Sequence, residues 1–389
     1  MAVKLGNGNW AVKEDKLLAY NDNSGRFFNK EFDFSRGSSA TYVAKDGLIK
    51  SAASDVPRID FSDTTNGALL LEPQSTNLIE NSEPITYSVK GGAEVTFTPY
   101  NWDIGFDTSV NYGDNSVTRY MYFPCLNSTQ YTISFFIRMD DLSKPDFSTI
   151  TSSGDLTLDN KTSLGTVKYI ELINNIWRIE VPFISGSTFP LVGLRKYTGQ
   201  SAKTFKITGI QLEQNSFATS YIPTSGAIST RSADVCNNSG SAQDFNSEEG
   251  VLYAEISALT DTDTTNPNRG ISISSGSTNN TIFIYYQSAL NGLACILISN
   301  GTTQFSHSTP LFDVDDYLKI ALKYKQNDFA LWVNGTEIAT DTSGNAPIGL
   351  NELAFDNGVG NDKFYGKVKD LQVFTTALTD EQLAALTQV

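Results

Sequence analysis

Histidine occurs once in 389 residues, and cysteine and methionine three times each. These scarcities bound the chemistry first. A Ser-His-Asp or Cys-His arrangement would have to pass through His307, in FSHST, because no other imidazole exists. Zinc held by His and Cys is equally starved of ligands, and Cys125, Cys236 and Cys295 lie too far apart for a metal cluster or a disulfide framework. They read as buried free thiols. Neither a P-loop nor a dinucleotide-binding glycine pattern follows a candidate strand.

Positive charge is also short: 28 Lys and Arg stand against 43 Asp and Glu, a formal net charge of -15. Such a balance repels phosphate backbones, so nucleic acid is excluded as a partner. No apolar run reaches the ~18 residues that a membrane helix needs. The first ten residues, MAVKLGNGNW, carry no apolar signal core, so neither membrane insertion nor a classical export signal is expected.

What the sequence has is β-forming material. Hydrophobic residues make up 40% of it, with 17 Tyr and 23 Phe, and aromatic residues favour strands. The length suggests two sandwich domains plus an extension. Residues 1–80 are rich in Asn, Asp, Ser and Gly and read as an extended arm that needs a partner. Short alternating strands then follow, among them QYTISFFIRM (Gln130–Met139), TVKYIEL (Thr166–Leu172), WRIEVPF (Trp177–Phe183) and FKITGIQLE (Phe205–Glu213). The polar stretch Ser225–Glu249 reads as a linker or long loop. A second strand series runs from GVLYAEI (Gly250–Ile256) to Tyr365–Val373. Asn334-Gly335 between apolar runs predicts a tight hairpin, and Thr379 three residues before Gln382 predicts a capped helix.

Four stretches carry a resemblance. FSRGSSATYVAKDGLIKSAASDVPRIDF (Phe34–Phe61) and LLLEPQSTNLIENSE (Leu69–Glu83) resemble a module of bacteriophage tail and other virion proteins. The matching positions are Arg36, Ala40-Thr41, Asp46-Gly47-Leu48, Pro57-Arg58-Ile59 and Glu72-Pro73 through Asn77-Leu78. GIQLEQNSFATSYIPTSGAISTRSAD (Gly209–Asp234) resembles the closing strand of the carbohydrate-binding-like jelly roll that follows such modules. Residues 250–389 resemble concanavalin A-like, laminin-G-type domains through VNG, LNELAF, YGKVKDLQVF and ALTDEQLAALT.

The resemblance implies an all-β fold: an attachment arm over 1–80, a jelly roll over 81–232 and a lectin-like sandwich over 240–389. It implies a non-enzymatic virion protein, of tail fibre, head fibre or capsid, that binds host-surface polysaccharide. Its partners would be other virion proteins and further copies of itself, such as a trimer. A ligand-free decoration protein and a capsule depolymerase are the alternatives, the latter because glycoside hydrolysis needs only a carboxylate pair that spacing cannot reveal.

Glycan binding uses aromatic faces with polar groups around them. Trp102, in PYNWDIGF, and nearby Tyr112 are candidates in one domain; Tyr285 and Trp332 are candidates in the other. Each also has a reading as a core or anchor residue. No cofactor is expected beyond a structural calcium, for which Asp261, Asp263, Asp356 and Asp362 in two Asp-rich loops are the candidate ligands.

Overall fold

The computed structural model describes residues 2–4, 10–14, 16–21, 26–28, 32–83, 95–148, 153–259, 268–287, 292–310, 312 and 314–389. The protein is all-β, with sandwich-type sheets and, among the described residues, one α-helix. It divides into two compact units, each built from separated stretches of chain. Unit 1 comprises residues 1–38, 52–73 and 233–389; unit 2 comprises 39–51 and 74–232.

Unit 1 packs two sheets face to face. The larger, of eight strands, runs Thr336–Asp341, Phe329–Val333, Leu318–Lys325, Glu249–Ala258, Gly366–Phe374, Ala68–Leu71 and Arg58–Asp60, and Ala2–Lys4 also pairs with Gly366–Phe374. The smaller runs Thr302–Thr309, Gly292–Ser299, Thr281–Gln287, Asn268–Ser274 and Glu352–Ala354. Alternation drives the packing: Leu252, Ile320, Leu331 and Val368 from one sheet meet Ile271, Ile284, Leu297 and Phe305 from the other. The expected hairpin is present, since Val333 pairs with Thr336 and both Asn334 (φ 48°) and Gly335 (φ 80°) take the positive φ that a two-residue turn of this hand requires. The helix Asp380–Thr387 starts in the expected capping box, with the Thr379 N–H donating to Gln382 Oε1 at 3.0 Å.

The described residues among 1–80 do not form a separate arm. Trp10, Leu17 and Phe32 lie in the unit 1 core, and the Trp10 indole donates to the Val368 carbonyl at 3.1 Å. Ala68–Leu71 is wholly buried and pairs with Gly366–Phe374. The polar composition that suggested an extended segment reflects short strands, several of whose apolar residues, Trp10 and Leu69 among them, find partners more than 200 positions away. Ser225–Glu249 is likewise no free linker: Ser229–Arg231 pairs with Ser75–Asn77, and Val235–Asn237 with Asp33–Ser35.

The motif residues do interior work. Arg58 donates to Glu72 at 2.7 Å and to Asp234 at 2.6 Å, and Arg36 donates to Asp234 at 3.1 Å, all with side chains 0–3% exposed. Arg36 also donates to the carbonyls of Ala53 and Val56. Burial works against the Arg58 charge, but Asp234 and Glu72 more than offset it and raise its pKa. Removing one member of a buried ion cluster strands the others, so Arg58→Ala is expected to cost unit 1 about 3–5 kcal/mol, read from its denaturant midpoint.

Unit 2 is also a sandwich. Its seven-stranded sheet holds Thr96–Pro99, Thr108–Tyr112, Phe205–Glu213, Gln130–Met139, Trp177–Ser185, Lys161–Leu164 and Lys168–Glu171. Opposite lies a four-stranded sheet, ordered Arg119–Pro124, Leu191–Lys196, Leu156–Asp159 and Phe147–Ser148. Met121, Phe123, Leu156, Leu158, Val192 and Leu194 face the other sheet's Ile133, Phe135, Val181 and Ile207. Behind the seven-stranded sheet, Trp102, Ile104, Phe106, Phe136, Ile176 and Tyr221 make a second small core.

The closing pattern of the jelly roll is a buried hydrogen-bond network. Glu213 accepts from Ser75 Oγ (2.6 Å), Thr219 Oγ1 (2.5 Å), Thr219 N (3.0 Å) and Gln211 Nε2 (2.7 Å). Burial pushes its pKa up against these donors. Asn77 donates to the Ile222 carbonyl at 2.9 Å and accepts from Leu212 N at 3.1 Å. Buried polar groups persist only when satisfied in this way.

Candidate carbohydrate-binding surface

The aromatic candidates drawn from the sequence are largely interior. Trp102 is 0% exposed, with its indole N–H donating to the Thr108 carbonyl at 2.8 Å. Tyr112 is equally buried, stacked on Phe205 and donating to the Leu194 carbonyl at 3.1 Å. Trp332 does point to the sheet face opposite Leu331 and Val333, but there it packs with Leu383 of the helix. Tyr285 is half-buried and stacks on Phe283 at 4.8 Å.

Of the acidic candidates, Asp261 and Asp263 lie outside the described residues. Asp356 is buried and accepts from the Gly358 N–H at 2.6 Å; Asp362 accepts from Asn357 Nδ2 at 2.8 Å. Burial, and then the Asp356 charge, raise the Asp362 pKa although the Asn357 bond opposes them. Among the described residues no group of three or more His, Cys, Asp and Glu side chains is placed to hold a metal ion. His307 and Cys295 are cross-strand partners, yet Cys295 is 1% exposed and burial pushes its thiol up to about 12, away from a nucleophilic thiolate.

A different constellation stands on the outer face of the four-stranded sheet of unit 2. Its strands alternate, so Met121, Phe123, Val192 and Leu194 point inward while Tyr120, Tyr122, Gly193 and Arg195 share the outer side. Gly193 sits between Tyr122 on one neighbouring strand and Asp159 on the other. A Cβ at Gly193 would meet the Tyr122 ring at 2.6 Å. Glycine there lets the ring lie across the strand, and the Tyr122 hydroxyl donates to Asp159 Oδ2 at 2.6 Å.

Arg195, one row further along the same face, donates from Nη1 to the same Oδ2 at 2.6 Å and to the Tyr122 hydroxyl at 3.2 Å. The Tyr197 hydroxyl donates to Asp159 Oδ1 at 3.1 Å. The Arg195 guanidinium lies 4.2 Å from the Tyr197 ring centre and 5.3 Å from that of Tyr120. Tyr120 and Tyr122 meet edge to face at 5.1 Å. All three tyrosines are half-buried, and the Arg195 and Asp159 side chains are 25% and 23% exposed.

The electrostatics lock these protonation states. Burial raises the Asp159 carboxyl, but bonds from Tyr122 and Arg195 and the Arg195 charge hold it below 3.8. Burial and the Asp159 bond push the Tyr122 phenol up to about 12, so it stays a donor. A depressed folded-state pKa means that Asp159 contributes stability fully present above pH 3.8 and lost as pH falls through its lower folded value. The difference in melting temperature between wild type and Asp159→Asn is therefore expected to be constant at neutral pH and to shrink below pH 3.8.

Three aromatic faces, a planar guanidinium and a carboxylate, fixed together on rigid strands, suit a ligand with apolar C–H faces and hydroxyl edges. The sequence reading missed this group. Its one local signal was the alternation in RYMYFP, which puts Tyr120 and Tyr122 on one side.

Residues 256–384 match the family model of the concanavalin A-like lectin/glucanases superfamily. No curated protein matches the chain. Among solved structures, the CBM40 of the Ruminococcus gnavus IT-sialidase is 19% identical, with 39% of this chain and 93% of that one covered and a TM-score of 0.32. The leech intramolecular trans-sialidase is 20% identical, covering 39% of this chain and 26% of that one, with a TM-score of 0.31. Domain 4 of a GH43 extracellular arabinanase from Geobacillus stearothermophilus is 13% identical over 40% of this chain and 73% of that one, at 0.32.

Proposed function

We propose that this protein is a non-enzymatic carbohydrate-binding protein and that it engages glycans on the outer face of the four-stranded sheet of unit 2. The observation that carries the proposal is the half-exposed group of Tyr120, Tyr122, Tyr197, Arg195 and Asp159, oriented by mutual hydrogen bonds before any ligand arrives. Preorganisation of this kind lowers the entropy cost of binding. The lectin-type family match over residues 256–384 supports the same class of function for the chain. Binding of the full-length protein to a glycan array tests it: saturable binding to a sugar class is expected, and a blank array would end the proposal.

A place on a bacteriophage particle is a separate proposal, supported by the likeness of Phe34–Phe61, Leu69–Glu83 and Gly209–Asp234 to virion modules. Antibody labelling of purified particles is expected to find it on their surface, and unlabelled particles would overturn it. Partner virion proteins and self-association belong to that proposal.

A further inference from the structure

We infer that the unit 2 surface takes an internal stretch of an extended, uncharged polysaccharide and does not cap a chain end. The inference rests on the carbohydrate-binding reading above and deepens it. Strand pairing lays the outer face out in rows: Tyr120 beside Arg195, then Tyr122, Gly193 and Asp159, then Pro124 beside Leu191. From Tyr197 to Leu191 this face runs about 20 Å at ~3.3 Å per residue, longer than any single sugar ring.

Just before Leu191 and just after Pro124 in the chain, Phe189 is 65% exposed and Leu126 62% exposed. That end is held in place, since Asn160, next to Asp159, donates to the carbonyls of Phe189 (2.8 Å) and Leu191. Cys125 N donates to the Pro190 carbonyl at 3.0 Å, tying the Leu126 segment to the same loop. Among the described residues both ends of the strip are open: Thr198 and Gly199 are exposed at one, Phe189 and Pro190 at the other. A chain lying along the strip can leave at either end.

Charge selects the class of sugar. Arg195 and Asp159 neutralise each other at 2.6 Å, and the protein as a whole carries -15. A polyanionic glycan would approach against that field, whereas a neutral chain with hydroxyls on its edges and C–H groups on its faces matches the donors, acceptors and rings in place.

Titration of the full-length protein with cello-, xylo- and arabino-oligosaccharide ladders of one to six sugars, and with α2,3-sialyllactose as an anionic probe, tests this. Within a ladder that binds, affinity is expected to rise about tenfold from the monosaccharide to the tetrasaccharide, with little salt dependence, and Phe189→Ser is expected to remove most of the gain from length. A monosaccharide that binds as tightly as the tetrasaccharide, or sialyllactose that binds better than every neutral ladder, overturns the inference while leaving the carbohydrate-binding reading intact. Failure of every ladder and of sialyllactose, together with a blank array, sinks both.

Discussion

Tyr122→Ala is expected to weaken glycan binding by about 30-fold or more, the loss of ~2 kcal/mol typical of a central aromatic contact. The effect should be this large because Tyr122 serves the site twice. Its ring forms part of the platform, and its hydroxyl is one of three donors that orient Asp159. Tyr122→Phe keeps the ring and is expected to lose only a fraction as much. Gly193→Val, which places a side chain where the ring now lies, should approach the Ala variant by displacing the ring rather than removing it. Because Tyr122 sits on the outer, half-exposed face, the melting temperature should move by only a few degrees in each case. Calorimetric titration decides the matter, and unchanged affinity in Tyr122→Ala would remove this surface from consideration.

The second large effect concerns the lectin-like unit. Residues 240–389 expressed alone are expected not to fold, although a family model fits inside them. The fragment lacks Ala68–Leu71, which covers the strand Gly366–Phe374, and lacks Trp10, Leu17 and Phe32 from the core. Each such side chain contributes about 1.5–3 kcal/mol on burial, and a whole domain is stable by only about 5–15 kcal/mol. Circular dichroism of the fragment should show no cooperative melt. A transition matching that of the full-length protein would show that the early strands are dispensable.

Features set by neighbouring residues were legible in the sequence. Asn334-Gly335 needs only its own backbone preferences to turn, and Thr379 with Gln382 caps a helix through atoms three residues apart. Strand existence was equally readable, since Gln130–Met139 and Phe205–Glu213 alternate along their length. What pairs over long distance was not. Arg36 meets Asp234 across 198 positions, so the first 80 residues looked like an arm in want of a partner when their partners lay far along the same chain. The binding surface was hidden for the same reason: Asp159 and Arg195 come from strands 36 positions apart, and only their register with Tyr122 brings them together. Trp102 misled in the opposite sense. Its Asn and Asp neighbours suggest an exposed loop, yet its ring fills a small core behind the sheet and its N–H is satisfied within six residues.

The interleaving of the two units sets a timetable for synthesis. Every stretch of unit 2 has been made once residue 232 is complete, whereas in unit 1 Ala68–Leu71, paired early with Arg58–Asp60, waits for Gly366–Phe374 to cover its other edge. At translation rates of about 5–20 residues per second, that early pair of strands waits for roughly 15–60 seconds without the strand Gly366–Phe374. From residue 232 onward the finished unit 2 separates the early stretches of unit 1 from its last one along the chain. Maturation of the protein should therefore be limited by closure of the lectin-like sandwich, and slowed translation between residues 232 and 366 should lengthen the period in which Leu69, Leu70 and Leu71 are open to aggregation.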